Sequence, residues 1–202
     1  MRTSIWLVRH GQTELNRQRR YQGSSDSPLT TFGRRQSEAL RRRLSRIPFT
    51  SALVSPCGRT QQTALAILAG RTVPMQSDTH WCETAHGTWE GLSYAEVRER
   101  YPHEVTERFS DPLHGRPTGG ESLADVAERV WNGWQDLCKT YRHGRILVIT
   151  HATPVQLILC MLNNMPATTF WHWRIDLGSV TAIDLYEGGP IVRMVNEVPR
   201  WR

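Results

Sequence analysis

The chain has 202 residues, 39% of them hydrophobic, and a formal net charge of +6. That length makes one domain over residues 1–202 the default and suffices for a core built without disulfides or metals. No apolar run is long enough to span a membrane, and the N-terminal apolar run stops at Val8 before Arg9, which predicts no signal peptide.

Ile5 to Val8 reads as a short buried strand, and Arg9, His10 and Gly11 fall where it turns into a loop. Arg offers a planar fork for an oxyanion, His a nucleophilic or proton-carrying nitrogen, and Gly close backbone approach. The tripeptide is read either as a phosphate site or as an ordinary strand-to-loop turn. A polar loop through Asn16, Gln22, Gly23 and Pro28 follows. A helix is predicted from about Thr30, its N-cap, to Ser45, stopped by Pro48. Arg34, Arg35, Arg41, Arg42, Arg43 and Arg46 lie on it and read better as a solvated face than as a nucleic-acid surface, since no aromatic residues interleave with them. Lys139 is the one lysine among 25 basic residues, an arginine preference that suits oxyanions or reflects genomic base composition.

Ala52 to Val54 is a second strand, and a helix runs from Arg59 to about Ala69. Thr72 to Gln76 is a weak strand that Pro74 confines to an edge. Glu83 to Gly91 reads as loop, Ser93 to Tyr101 as helix, His103 to Ser110 as a further turn or two, and Asp111 to Gly120 as loop. Residues 83–120 are thus expected to form a small cap that sets specificity, with Trp89, Tyr94 and His114 as candidates to face a substrate.

Ser122 caps the clearest helix, whose Leu123, Val126, Ala127, Val130, Trp134, Leu137, Cys138 and Tyr141 keep helical spacing. Ile146 to Ile149 is a strand ended by Thr150-His151, and helices are predicted over Val155 to Leu162 and Pro166 to Trp173. Val180 to Tyr186 and Ile191 to Val195 close the chain as strands. The alternation predicts a three-layer α/β/α sandwich with a mostly parallel central sheet and a small helical cap. The cysteines Cys57, Cys82, Cys138 and Cys160 include no Cys-x-x-Cys pair, so no zinc or redox motif is expected and a reducing cytoplasm is the simplest setting.

If the strands are parallel neighbours, His10, Arg59 and His151 converge on one sheet edge. The stretch Arg9-His10-Gly11-Gln12-Thr13-Glu14-Leu15-Asn16 resembles the opening signature of the histidine phosphatase superfamily. Ser55 to Ala64, with Arg59, resembles that family's second arginine segment. Glu83 with Gly87 to Ser93 resembles its acid segment. Gly119-Gly120-Glu121-Ser122 and Val148-Ile149-Thr150-His151 complete the order, so the resemblance spans residues 5–185.

The resemblance implies a metal-independent phosphatase of small phosphomonoesters that releases inorganic phosphate, with no cofactor. His10 is the implied nucleophile. Arg9, Arg59, His151 and Asn16 are the implied phosphate ligands, with Gln22, Gly23 and Ala152 beside them, and Glu83 is the implied general acid. Charge neutralisation and in-line positioning are what phosphoryl transfer needs. Two arginine forks and a protonated His151 are expected to supply the charge, while His10 must be neutral to attack. Glu90, Glu96 and Glu99 stay as alternatives to Glu83. A phosphoglycerate mutase and a non-catalytic phosphate-binding module stay as alternative functions, and the oligomeric state stays open. Ala152 stands where the family usually has glycine, which is tolerable provided its φ is negative.

Overall fold

Strand β1 (Thr3–Arg9) is buried along almost its whole length, as a continuous apolar run in the middle of a parallel sheet must be. The computed structural model describes residues 2–200. β1 lies between β4 (Arg145–Thr150), parallel to it, and β5 (Val180–Tyr186), antiparallel. The sheet order is β3-β2-β4-β1-β5-β6, with β2 (Ser51–Val54), β3 (Met75–Ser77) and β6 (Gly189–Glu197). β3, β2, β4 and β1 run parallel, and the C-terminal hairpin β5–β6 adds the antiparallel edge.

The side-chain alternation of β1 divides the core. Ile5 and Leu7 pack with Leu53, Ile146 and Val148 beneath α6 (Leu123–Thr140) and α7 (Ala152–Leu162). Trp6 and Val8 pack with Ala52, Val54, Leu147 and Ile149 beneath α2 (Thr31–Leu44) and α3 (Gly58–Ile67). Each fully buried aliphatic side chain contributes about 1.5–3 kcal/mol. This is the three-layer α/β/α sandwich with a mostly parallel sheet that the sequence predicts.

The helix signals hold at their caps. Thr30 accepts the Gly33 N–H at the start of α2, and Ser122 forms a reciprocal capping box with Asp125 at α6. Several elements differ from expectation. The polar loop after β1 contains a one-turn helix α1 (Glu14–Arg17), and β3 starts at Met75 because Pro74 precedes it. Pro102 ends α4 (Tyr94–Arg100) and then opens α5 (Pro102–Ser110), where a missing N–H costs nothing. α7 begins at Ala152 instead of Val155, and Ala167–His172 is a 3-10 turn. Arg41 and Arg42 pair with Glu38, and Arg43 with Glu197, as a solvated helix face would.

Among the described residues no helix is long and apolar enough to cross a membrane. Nor, among those residues, are three or more His, Cys, Asp or Glu side chains grouped to hold a metal ion.

Candidate active site

Strand register assembles the centre. Arg9 pairs with Thr150 across β1 and β4, and Val54 pairs with Ile149 across β2 and β4. The residues that follow, His10, His151 and Ser55, therefore leave the sheet side by side at its carboxyl edge, where open α/β sheets bind ligands. The two imidazoles meet edge-on with centroids 5.1 Å apart. His10 Nδ1 lies 2.8 Å from the Gly11 carbonyl oxygen. A carbonyl only accepts, so Nδ1 carries the proton and Nε2 keeps its lone pair. His151 Nε2 lies 2.9 Å from Ser55 Oγ.

Burial, then the Arg59 and Arg9 charges, hold the His10 imidazolium well below its usual pKa of 6.5. Burial, then Arg59 and the neighbouring His10, do the same to His151. Both shifts favour neutral rings before an anion is bound, so a protonated His151 is expected only beside a phosphate dianion. The positive charge comes from the arginines. Arg59 is fully buried and donates to the carbonyls of Gly23 (2.7 Å) and Ser25 (2.9 Å), with Asp26 at 3.3 Å. Arg9 donates to the Ile175 carbonyl at 2.6 Å. Arg9 Nε, Arg59 Nε and His151 Nδ1 are buried without a protein partner. Such groups are costly to leave unpaired, and they are the ones an oxyanion would engage.

Glu83 sits at the start of α7. Its carboxylate accepts the Ala152 N–H at 3.2 Å and the Thr84 N–H at 2.9 Å. It also lies close enough to Arg9 to act on its charge. Arg129 holds the segment before it. One guanidinium donates to the carbonyls of His80 (3.0 Å), Cys82 (3.1 Å) and Glu83 (3.3 Å) and pairs with both Glu121 oxygens at 2.9 Å. Sequence reasoning missed this residue, because nothing local to α6 signals a partner in residues 79–83.

Glu90, an alternative acid, has another task. It accepts N–H groups of Gly23, Ser24, Ser25 and His86 and the Ser25 hydroxyl. Those hydrogen bonds outweigh burial and lower its pKa. Glu90 thus pins the loop on which Arg59 rests. Glu96 caps α4 and pairs with Arg20.

Four other residues singled out in the sequence sit as follows. Asn16 closes a capping box with Thr13 on α1. The Gln22 amide is engaged at both ends, accepting from Thr13 Oγ1 (2.6 Å) and donating to Ser27 Oγ (3.2 Å). Gly23 gives its N–H to Glu90 and its carbonyl to Arg59, and a Cβ there would lie 1.9 Å from the Thr84 carbonyl oxygen. Ala152 is absent from the positive-φ residues, so its methyl needs no strained backbone.

A cavity of about 540 Å³ opens beside Thr84 and Thr153, the residues after Glu83 and Ala152. Tyr21, His86, Trp89, Phe109, Phe170 and Trp171 give it aromatic walls, and Arg108 and Glu121 are its charged side chains. Arg108 donates to the Gly115 carbonyl at 2.7 Å, and Glu121 is paired with Arg129. Trp89 lines this cavity as expected, whereas Tyr94 and His114 do not. Phe170 and Trp171 come from the 3-10 turn, outside the expected cap, and their short polar-flanked run carries no binding signature.

Comparison with known proteins places this geometry. The profile of the histidine phosphatase superfamily (branch 1) matches residues 5–198. A bifunctional protein of Mycobacterium tuberculosis is 35% identical over 197 residues, covering 96% of this chain and 54% of the relative. The chain thus spans about half the length of that curated relative. The adenosylcobalamin/alpha-ribazole phosphatase of Escherichia coli is 31% identical over 192 residues, 95% of each chain. The crystal structure of the alpha-ribazole phosphatase from Shigella flexneri superposes with a TM-score of 0.92 at 30% identity, covering 98% of both chains. By sequence profile and fold alike, the chain belongs to branch 1 of the histidine phosphatase superfamily.

Proposed function

We propose that the chain is a metal-independent phosphomonoesterase working through a phosphohistidine. The observation that carries this reading is the His10 ring, its Nδ1–H held by the Gly11 carbonyl and its imidazolium disfavoured by burial, beside His151, the buried Arg59 and the half-buried Arg9. His10 Nε2 attacks phosphorus in line. Arg9, Arg59 and His151 hold the phosphoryl oxygens, with Asn16 as a further donor and the Ala152 N–H beside them. A bound phosphate dianion raises the pKa of His151 and lets it join as a cation. Glu83 gives its proton to the leaving oxygen as the P–O bond breaks. Glu83 then takes a proton from water, whose oxygen attacks the phosphohistidine, and inorganic phosphate leaves with His10 restored.

The cavity beside Glu83 receives the leaving group. Its aromatic walls, and the prior engagement of Arg108 and Glu121, favour a leaving group with flat apolar surface over a small anion. A phosphoglycerate mutase needs a second anion clamp, which this lining does not offer. The relatives named for alpha-ribazole make a nucleotide-like ester the first substrate to try. Residues 1–202 act as one domain in this reading, with residues 83–120 as its cap, in a reducing cytoplasm.

A panel of alpha-ribazole phosphate, phosphoserine, 3-phosphoglycerate and p-nitrophenyl phosphate tests the proposal. The expected result is release of inorganic phosphate in chelator, with the aromatic esters preferred by kcat/KM. Isomerisation of phosphoglycerate faster than phosphate release, or activity only with added divalent metal, contradicts it.

A further inference from the structure

The fold brings together two cysteines that are distant in sequence. Cys57 is the N-cap residue of α3, two positions before Arg59. Cys82 ends the 3-10 turn Thr79–Trp81, directly before Glu83. Ser55 Oγ lies 3.7 Å from Cys82 Sγ and 2.9 Å from His151 Nε2, and Cys57 follows Ser55 by two residues, so the turn after β2 sets Cys57 beside Cys82, each the other's strongest electrostatic partner. Both cysteines are half-buried. A small oxidant can therefore reach a thiol pair wedged between the arginine arm and the acid arm of the centre.

We propose that Cys57 and Cys82 are an oxidation site: hydroperoxide converts them to an intramolecular disulfide that reversibly disarms the centre. The Cys57 thiolate attacks one peroxide oxygen, the O–O bond breaks, and hydroxide leaves. The Cys82 sulfur then attacks the sulfenic sulfur of Cys57. Its proton and the sulfenic hydroxyl depart as water. Two thiols lose two electrons and two protons, and one hydrogen peroxide becomes two waters. Cys57 is the attacking sulfur because the Cys82 thiol, and further off the Arg59 charge, outweigh burial and bring its pKa down to about 6. The Cys82 thiol is pushed up, first by that same hydrogen bond and then by burial, so it stays protonated as the resolving partner.

The bond must bring the two sulfurs to about 2.05 Å. Both cysteines sit at element ends, so the strain passes into their neighbours. Cys82 pulls the backbone of Glu83 against the Arg129 clamp, and Cys57 pulls the first turn of α3, which carries Arg59.

The test treats the whole protein with graded hydrogen peroxide and reads it without reductant. Intact mass and peptide mapping are expected to show loss of two hydrogens and a Cys57–Cys82 crosslink. Phosphatase turnover should fall roughly tenfold or more, the scale of a small misplacement of catalytic groups, and dithiothreitol should restore it. Cys57→Ser and Cys82→Ser should remove the dithiothreitol-reversible loss, whereas Cys138→Ser should keep it. A mapped crosslink between other cysteines, stable sulfinic acid at Cys57 with no crosslink, or a crosslinked protein at full activity overturns the proposal. Mapping needs no turnover, so failure of the phosphatase reading is told apart from failure of this one.

Discussion

His10 and His151 are aromatic rings buried beside two arginines, and both are held neutral by that burial. This has a consequence for stability. In the unfolded chain both titrate near the ordinary value of 6.5. Below that pH the unfolded chain binds protons that the folded chain refuses, so stability falls as pH drops from 6.5 toward the folded values. Above 6.5 both states are neutral and these groups add no slope. Each contributes at most about 1.4 kcal/mol per pH unit. Calorimetric Tm should therefore fall between about pH 6.5 and 5 more steeply in the wild type than in His151→Gln, which removes one such proton site. Equal slopes would show that His151 is already charged in the folded protein.

At the scale of elements, the position of Glu83, the proposed acid, depends on a residue in α6. Arg129 on α6 donates to the carbonyls of Thr79, His80, Cys82 and Glu83 and is itself clamped by Glu121. Lysine has the charge but not the planar fork that spans them. Arg129→Lys should loosen Glu83 and slow alkyl phosphates by up to about 10²-fold, the cost of misplacing a catalytic group. p-Nitrophenyl phosphate needs little proton donation, so it should be slowed less. Glu83→Gln should show the same ordering with a larger loss on alkyl phosphates, about 10²–10⁴. Uniform slowing of both substrates by Arg129→Lys, with a lowered Tm, would make the residue structural only.

The same contrast marks what the sequence shows and what it hides. β1 and α6 are legible because burial imposes a pattern on consecutive residues: an unbroken apolar run for the strand, helical spacing from Leu123 to Leu137 for the helix. Arg9, His10, Arg59 and His151 are legible because they sit at strand or helix ends. α1 is too short to show periodicity. The Arg129 clamp, the Glu90 bonds to residues 23–25 and the approach of Cys82 to Ser55 are pairings across many residues, and they exist only after the sheet order is set. Phe170 and Trp171 reach the cleft through a 3-10 turn, which has no long-range pattern to read.

For the whole molecule, the sheet brings His10, Arg9, Arg59 and His151 to one edge, and residues 84–123 with the 3-10 turn of residues 167–172 line an aromatic cavity that opens beside Thr84 and Thr153. Every step proposed for this arrangement passes through phosphorus bound to His10. Rapid acid-free quenching of the protein with radiolabelled substrate measures that bond directly. The account predicts a covalent adduct that forms before phosphate release, survives base, is lost in acid, maps to His10 and is absent from His10→Ala. An adduct of the same chemistry in His10→Ala, or wild-type turnover with no adduct at any time point on a substrate whose dephosphorylation is slow, would contradict it.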